Sequence, residues 1–520
     1  MQGKSGRSVK KLAAGPKYIS PLQLSLEGFE TPFERNLNRE NRWVKLAGAI
    51  PWDKIVPYYN RVFSSNEGRP PISGRVIIGA MIIKHIENLT DRDTIQHITE
   101  NIYMQYFLGY SSFTDEAPFT APLFVAIRKR MTLELTNKIS DLIAMYGIQQ
   151  GEEQAPIVSK DDSDSDSSSS TFILENAGAS EHTTDTAVNS EPAPKGKLLM
   201  DATVAPQHIT FPTDLKLLNA ARKKSEELID RLYNPALHGS TKPRTYRNNA
   251  RKLFLNTSKK KSKSYRQIHK ANGQQLRFLK RNLKHIKVLL AAFDDFPLSP
   301  REQKYLLVLH TVYEQQNHLF TNRSKSVPHR IVNIHQPHVR PIVRGKDSAK
   351  AEFGSKLQVS LVDGYTFIDK LDWEAYNEGA WLQYSTEKYK QRFGYYPKEV
   401  LADKIYCNRA NRQWLKEKGI KLSAKPLGRP SAVADHIRPG DRNPIEGKFG
   451  QAKLAYGLNC IKAKLKETSE SWIACIALVL NLVNLTRQAF LSLIGCLTII
   501  FQLKKVGHQN FKILMPYRVI

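Results

Sequence analysis

Cysteine is scarce in this 520-residue chain: Cys407, Cys460, Cys475 and Cys496 are the only four, and none forms a C-x-x-C pair. That spacing argues against a zinc module or a disulfide framework and fits a reducing cytosol. Long apolar runs are scarce as well. The opening stretch, MQGKSGRSVKKLAAGPKY, is basic but has no apolar core of signal-peptide length. The most apolar segment, SWIACIALVLNLVNLTRQAFLSLIGCLTIIF, occupies residues 471–501. Its first unbroken run, 472–480, is about half the ~20 residues a bilayer crossing needs, and Asn481, Asn484 and Arg487 then interrupt it. Buried C-terminal helices and a tail over 471–520 are expected there, with no membrane.

Carboxylates are the third shortage. Asp and Glu total 49 against 78 Lys and Arg, a formal net charge of +29. Such an excess points to a polyanionic partner, nucleic acid ahead of an anionic membrane. At this length two or three domains are expected.

The acids that are present are unevenly spread. Between Gly151 and Pro192 lie ten of them with a single lysine, among packed serines. Too little apolar surface is available there to offset the entropy of ordering, so 151–196 reads as a disordered linker. Ahead of it, 1–150 reads as helical. SGRVIIGAMIIKHIENL (73–89) is dense enough in apolar residues for a buried helix, and TDRDTIQHITENIYMQYFLGY follows, opening on the capping-box-like Thr90-x-x-Asp93. Two helices joined by a tight turn suit a helix-turn-helix DNA reader.

Beyond the linker, KLLMDATVAP reads as a short strand ending in Asp201. A basic helical insertion follows over about 212–326. Within it, residues 242–287 hold sixteen Lys or Arg and no Asp or Glu. QQLRFLKRNLKHIKVLL sets Leu276, Leu279, Leu283, Ile286 and Leu290 at helical spacing, with Lys280 and Arg281 largely off that stripe. Strand signals return at 330–345 and 354–371, and again in KEVLADKIY, with Asp403 near its end, and IKLSAKP; helices intervene at STEKYKQRFGYYP, at NRANRQWLKEKG, closed by Gly419, and after Arg442. The order describes an α/β domain over 197–470 interrupted by the insertion.

Asp201 and Asp403 each end an expected strand, and Glu446 begins a helix. If the strands are neighbours and the helix crosses their ends, three carboxylates meet, and they repel one another unless a cation sits among them. Mg²⁺ suits such hard oxygen ligands. Two such ions can activate a water or a 3′-hydroxyl and stabilise the leaving oxygen at phosphorus.

LLMDATVAP, LADKIYCNRANRQWLKEKGIKLS and DRNPIEGKFGQAKLAYGLNCIKAKL resemble the catalytic blocks of bacterial insertion-sequence DDE transposases. Arg442, Glu446 and Lys453 match the R-x₃-E-x₆-K part of a signature of one large branch of that family, whereas Pro439 stands where a tyrosine is expected. PPISGRVIIGAMIIKHIENLTDRDTIQHITEN resembles the family's N-terminal helical domain, and VRGKDSAKAEFGSKLQVSLVDGYTFID the strands between the first two acids. The resemblance implies a ribonuclease H-like mixed sheet, two Mg²⁺ ions for which Mn²⁺ substitutes, and metal binding by Asp201, Asp403 and Glu446. It also implies end recognition at terminal inverted repeats, strand transfer into target DNA, a homodimer on DNA, and residence in the bacterial cytoplasm at the nucleoid. Arg442, Lys453 and Lys448 would lie against phosphates beside the cut, with Lys259, Lys260, Lys261, Lys280 and Arg281 as further DNA contacts. A DNA-binding derivative without catalysis, and a metal-dependent nuclease that never joins strands, are the rival readings.

The basic insertion gives a first quantitative expectation. Neutralising Lys259, Lys260, Lys261 and Lys263 together should lower the log–log salt slope of DNA binding by about 3.6, if all four touch phosphates. A slope unchanged in a titration from low to moderate salt would place the segment away from DNA.

Overall fold

A computed structural model describes residues 36–61, 72–153, 192–346, 349–424 and 440–487. Most of the acidic linker, Pro439 and the tail after Arg487 therefore lie outside the described residues.

Among the described residues seven helices come first: α1 (Arg42–Ala49), α2 (Trp52–Asn60), α3 (Gly74–Ile86), α4 (Asp91–Glu100), α5 (Ile102–Leu108), α6 (Leu123–Arg130) and α7 (Leu133–Glu153). The α3 helix is buried nearly all round, as its apolar density requires. The expected capping box forms: the Thr90 side chain accepts from the Asp93 backbone, and the Asp93 side chain accepts from the Thr90 backbone. The helix it opens is shorter than the sequence pattern suggests. Asn101 adopts an extended conformation and caps a new helix, accepting from the backbone N–H of Tyr103 and Met104.

One six-stranded mixed sheet follows, of β1 (Lys197–Pro206), β2 (Arg340–Lys346), β3 (Ala349–Val362), β4 (Tyr365–Asp372), β5 (Glu399–Leu401) and β6 (Lys421–Ser423). The path runs β2-β3-β1-β5-β6, with β4 also pairing β3. The β3–β1, β3–β2 and β3–β4 pairs are antiparallel, whereas β1–β5 and β5–β6 are parallel. Between β3 and β4 the chain reverses in two residues, Asp363 (φ 48°) and Gly364 (φ 81°), the left-handed pair a tight hairpin needs. Crossovers carry α13 (Leu382–Phe393) before β5 and α14 (Arg409–Glu417) before β6.

Two strand expectations change. β1 does not end at Asp201 but continues to Pro206, because Ala202, Val204 and Ala205 are buried and pair with β3. Residues 330–339 form no strand: Asn333 folds the chain locally by accepting from the backbone of His335 and Gln336, and Pro337 follows.

The insertion between β1 and β2 holds α8 (Asp214–Leu232), α9 (Pro235–His238), α10 (Arg247–Ser258), α11 (Tyr265–Leu290) and α12 (Pro300–Thr321). It packs around its own apolar cluster, with Leu218, Leu279, Ile286, Leu309 and Val312 at its centre. On α11 the expected stripe turns inward, except that Leu289 is buried and Leu290 only half-buried.

After β6 come α15 (Asn443–Leu454) and α16 (Lys466–Arg487). By length and composition α16 could cross a membrane, but it lies largely buried in protein, with Val479 and Leu482 fully enclosed. A single continuous core joins the seven N-terminal helices, the sheet and α16. Asn481, which interrupts the apolar run, is buried and stitches three elements: it accepts from the Thr366 N–H (2.6 Å), donates to the Thr366 carbonyl (2.8 Å) and donates to Ser140 Oγ on α7 (2.9 Å). The α7 and β4 elements approach closely at Gly147, where any Cβ would collide with the Tyr365 ring.

A buried ion network closes the other side of this core. Arg128 grips Asp91 with two hydrogen bonds, at 2.8 and 2.7 Å, and Lys84 Nζ reaches the same carboxylate at 3.0 Å. Both cations lie over the Trp472 ring of α16, at 4.6 Å for Lys84 and 5.6 Å for Arg128. Burial pushes the Asp91 carboxyl up, but Arg128 and Lys84 outweigh it and hold it below its ordinary value. An Asp91→Asn chain should lose about 3–5 kcal/mol in urea unfolding, because two buried cations lose their carboxylate. A depressed folded pKa gives stability present above the unfolded value of about 3.9 and lost as pH falls through the folded one. The variant's stability should accordingly fall less steeply on the acid side.

Candidate active site

The parallel register of β1 and β5 decides where the first two acids go. Leu199 pairs with Leu401, so Asp201 and Asp403 each lie two residues further along neighbouring strands. Asp201 stays within β1, and its Oδ1 accepts the N–H of Ala202 at 2.8 Å. At Asp403 the chain has left β5, and its carboxylate caps the turn Lys404–Tyr406, accepting from the Lys404 N–H at 2.7 Å.

Helix α15 supplies the charge between them. Arg442 stands at its N-cap, ahead of Pro444 in the first turn, with Ile445 fully buried beneath. The two ends of the guanidinium reach different acids: Nη2 lies 3.3 Å from Asp201 Oδ2 and Nη1 lies 3.2 Å from Asp403 Oδ1. Its Nε is buried without a hydrogen-bond acceptor. Burial raises the Asp201 pKa and the like charges of Glu378 and Asp403 add to that, while the Ala202 N–H and Arg442 pull it back.

Glu446 follows Arg442 by four residues, about one helical turn, and is exposed. Among the described residues it has no hydrogen-bond or ion-pair partner, and no group of three or more His, Cys, Asp or Glu side chains is gathered closely enough to hold a metal. The structure thus brings Asp201, Asp403 and Arg442 into contact and leaves Glu446 out of that contact. Lys453 is half-buried near the end of α15. Lys448 is half-buried too; burial, then the charge of Arg487, lowers its pKa, and it borders a small apolar hollow lined by Thr203, Val359 and Ile473.

In the insertion, Lys259, Lys260, Lys261 and Lys280 are exposed. Arg281 instead donates to the Thr245 carbonyl at 3.0 Å and stacks over Tyr246 at 4.4 Å, holding the protein's own loop.

Sequence reasoning missed Glu378. It opens the 3-10 turn Glu378–Trp381, which packs on the turn carrying Asp403, and it pairs with Lys356 Nζ of β3 at 2.7 Å. Tyr406 lies beside this group, donating its hydroxyl to Gln358 Oε1 at 3.0 Å; burial, then Glu378, pushes that hydroxyl's pKa well up. No pattern in the local sequence marks Glu378, since its place depends on packing between two distant turns.

Residues 400–483, which include Asp403, Arg442 and Glu446, match the family described as transposase DDE domain. Residues 31–130 match a second family described as transposase domain. Two separate parts of the chain are thus similar to transposase families. A protein from Rhizobium meliloti, described as uncharacterized protein ORF8 in the nfe locus, is 32% identical to this chain over 103 residues. That alignment covers 20% of the chain and 49% of the relative, so the chain spans about half the relative's length. No solved structure matches the chain.

The shared guanidinium gives a direct expectation. An Arg442→Gln chain leaves Asp201 facing Asp403 and Glu378 without the compensating cation, so its already raised pKa should climb further. Carbon-detected NMR titration of the aspartate carboxyls would measure it. An unmoved Asp201 would show that Arg442 is not the balancing charge.

Proposed function

We propose that this chain is a DDE transposase that binds the ends of an insertion sequence and catalyses metal-dependent DNA strand cleavage and strand transfer. The observation that carries the reading is the Arg442 bridge between Asp201 and Asp403. Two acids 202 residues apart in sequence meet only because β1 and β5 are parallel neighbours, and a third element brings the cation they share.

A strand path with three antiparallel members and two parallel ones beyond β1 supports a ribonuclease H-like arrangement, with the basic insertion placed after its first strand. The donor chemistry fits a hard divalent cation: one half-buried carboxylate within β1 and another just past β5, their charge partly offset by a shared positive group whose Nε lacks an acceptor. Asp201, Asp403 and Glu446 would hold Mg²⁺, or Mn²⁺ in its place. Bound there, the metal would activate a water or a 3′-hydroxyl and stabilise the leaving oxygen.

The residues themselves supply positioning. Released from the acids, Arg442 becomes a two-pronged donor for a phosphate at the mouth of the site. Lys453 lies on the same helix, about three turns along. The 3-10 turn with Glu378 and Lys356 buttresses the loop that carries Asp403. Pairing two DNA ends favours a dimer on DNA.

Supercoiled plasmid carrying the element's ends, with Mg²⁺ and with chelator, tests this reading. Asp201→Asn, Asp403→Asn and Glu446→Gln should each lower nicking on the order of 10³-fold or more while DNA binding persists. Arg442→Ala should lower it less. A Glu446→Gln chain that cleaves normally would remove the third acid from the site. Metal-dependent nicking without joining of a pre-cut end would leave a nuclease, and binding with no nicking a DNA-binding derivative.

A further inference from the structure

The insertion carries a helix, α10, whose outer side chains make no hydrogen bond or ion pair among the described residues. Only Ala250 of α10 is buried, and the helix is mounted from that side. Gln275 of α11 donates to the Ala250 carbonyl at 3.0 Å. At the start of the helix Arg247 pairs with Asp230 of α8 at 2.8 Å, and Lys242 joins the same carboxylate at 2.7 Å. Just before it, Tyr246 takes a left-handed conformation, φ 52°, with Arg281 over its ring and bonded to the Thr245 carbonyl. The helix is therefore fixed in place by contacts that leave its far side open.

At 100° per residue, Asn248, Arg251, Lys252, Leu255, Asn256 and Lys259 fall on one stripe opposite Ala250. The same six residues line a single shallow groove on the surface. Apart from Leu255 all are exposed, and among the described residues none of those five has a side-chain hydrogen-bond or ion-pair partner. Across residues 242–287 there is no Asp or Glu to balance them. A face that served solubility alone would carry both signs of charge.

The composition of the stripe points to what it meets. Arginine is the bidentate donor matched to guanine O6 and N7, and asparagine is matched to adenine N6 and N7; lysines beside them suit phosphates. A twelve-residue helix, about 18 Å long, fits the major groove of B-form DNA, whereas the major groove of A-form RNA is too narrow for side chains to read. We infer that α10 is a recognition helix that lies in the major groove of duplex DNA, with Asn248, Arg251 and Asn256 on base edges and Lys252 and Lys259 on flanking phosphates. This rests on the DNA substrate of the reading above and adds to it the element that reads sequence.

The test uses the full chain in chelator, with a duplex library carrying a randomised core of about two helical turns, followed by repeated selection. The wild-type chain should enrich one motif. Arg251→Ala and Asn256→Ala should each relax the preference at one or two adjacent positions of that motif, losing about 10- to 100-fold of discrimination. Lys259→Ala should weaken binding to every sequence alike and lower the salt slope by about 0.9. Alanine favours helix, so the fold should survive, and far-ultraviolet circular dichroism with thermal melting checks that it does. Failure of the wild type to enrich a motif would overturn the inference. So would an unchanged motif, of unchanged strength, from Arg251→Ala and Asn256→Ala together, or competition by duplex RNA equal to that by DNA. No metal is present in this selection and an Asp403→Asn chain should select the same motif, so its outcome is separate from the cleavage result.

Discussion

Two carboxylates brought side by side, one within β1 and one just past the end of β5, repel each other, and the core of this site is arranged around the cation that lets them stay there. The register of β1 on β5 leaves no freedom: once Leu199 faces Leu401, Asp201 and Asp403 must be neighbours. Arg442 offsets the repulsion, and it arrives from 241 residues beyond Asp201, at the head of α15. A lysine there would present one point charge, whereas the planar guanidinium reaches both acids at once. The result is a compact unit in which strand pairing sets the problem and a helix N-terminus solves it.

That unit needs a rigid base, and α16 provides it. The helix is enclosed between the N-terminal helices and the sheet, so those two regions share one core. Arg392 adds to the coupling by binding Asp369 of β4 at 3.1 Å and Asp141 of α7 at 3.4 Å. The insertion is built differently, with its own apolar cluster and contacts of its own. On the proposed reading, catalytic chemistry asks for fixed carboxylates and DNA recognition for an exposed basic face; separate cores would let each part meet its own demand.

Local rules were enough for part of this. The Thr90 capping box, the Gly419 stop after α14 and the inward stripe of α11 all rest on short-range chemistry visible in a window of a few residues. Asn481 was legible as an interruption of an apolar run, but not as the residue that joins α7, β4 and α16, because its partners lie more than a hundred residues away. The β-rich look of 330–339 yielded to an Asx turn at Asn333, and the long helix after Thr90 yielded to a second cap at Asn101. At the site, the two strand acids were legible from position and chemistry together. Glu378 was not, since only the packing of two turns puts its charge beside Asp201.

Arg442 is the residue whose role the sequence pattern describes least well. By spacing alone it faces Glu446 one turn on, yet in the folded chain it turns to the other two acids and leaves Glu446 in solvent. On the proposed reading this gives the guanidinium two anionic claimants, the strand carboxylates and a DNA phosphate. It can satisfy the phosphate only by leaving the carboxylates, and they can release it only when another positive charge takes its place. Binding of DNA and of a cation would then favour each other, by the reciprocity that any shared intermediate state imposes. On that reading, a site whose charge is partly offset by its own side chain is quiet until both arrive, which would suit a protein that cuts the DNA its basic surface attracts.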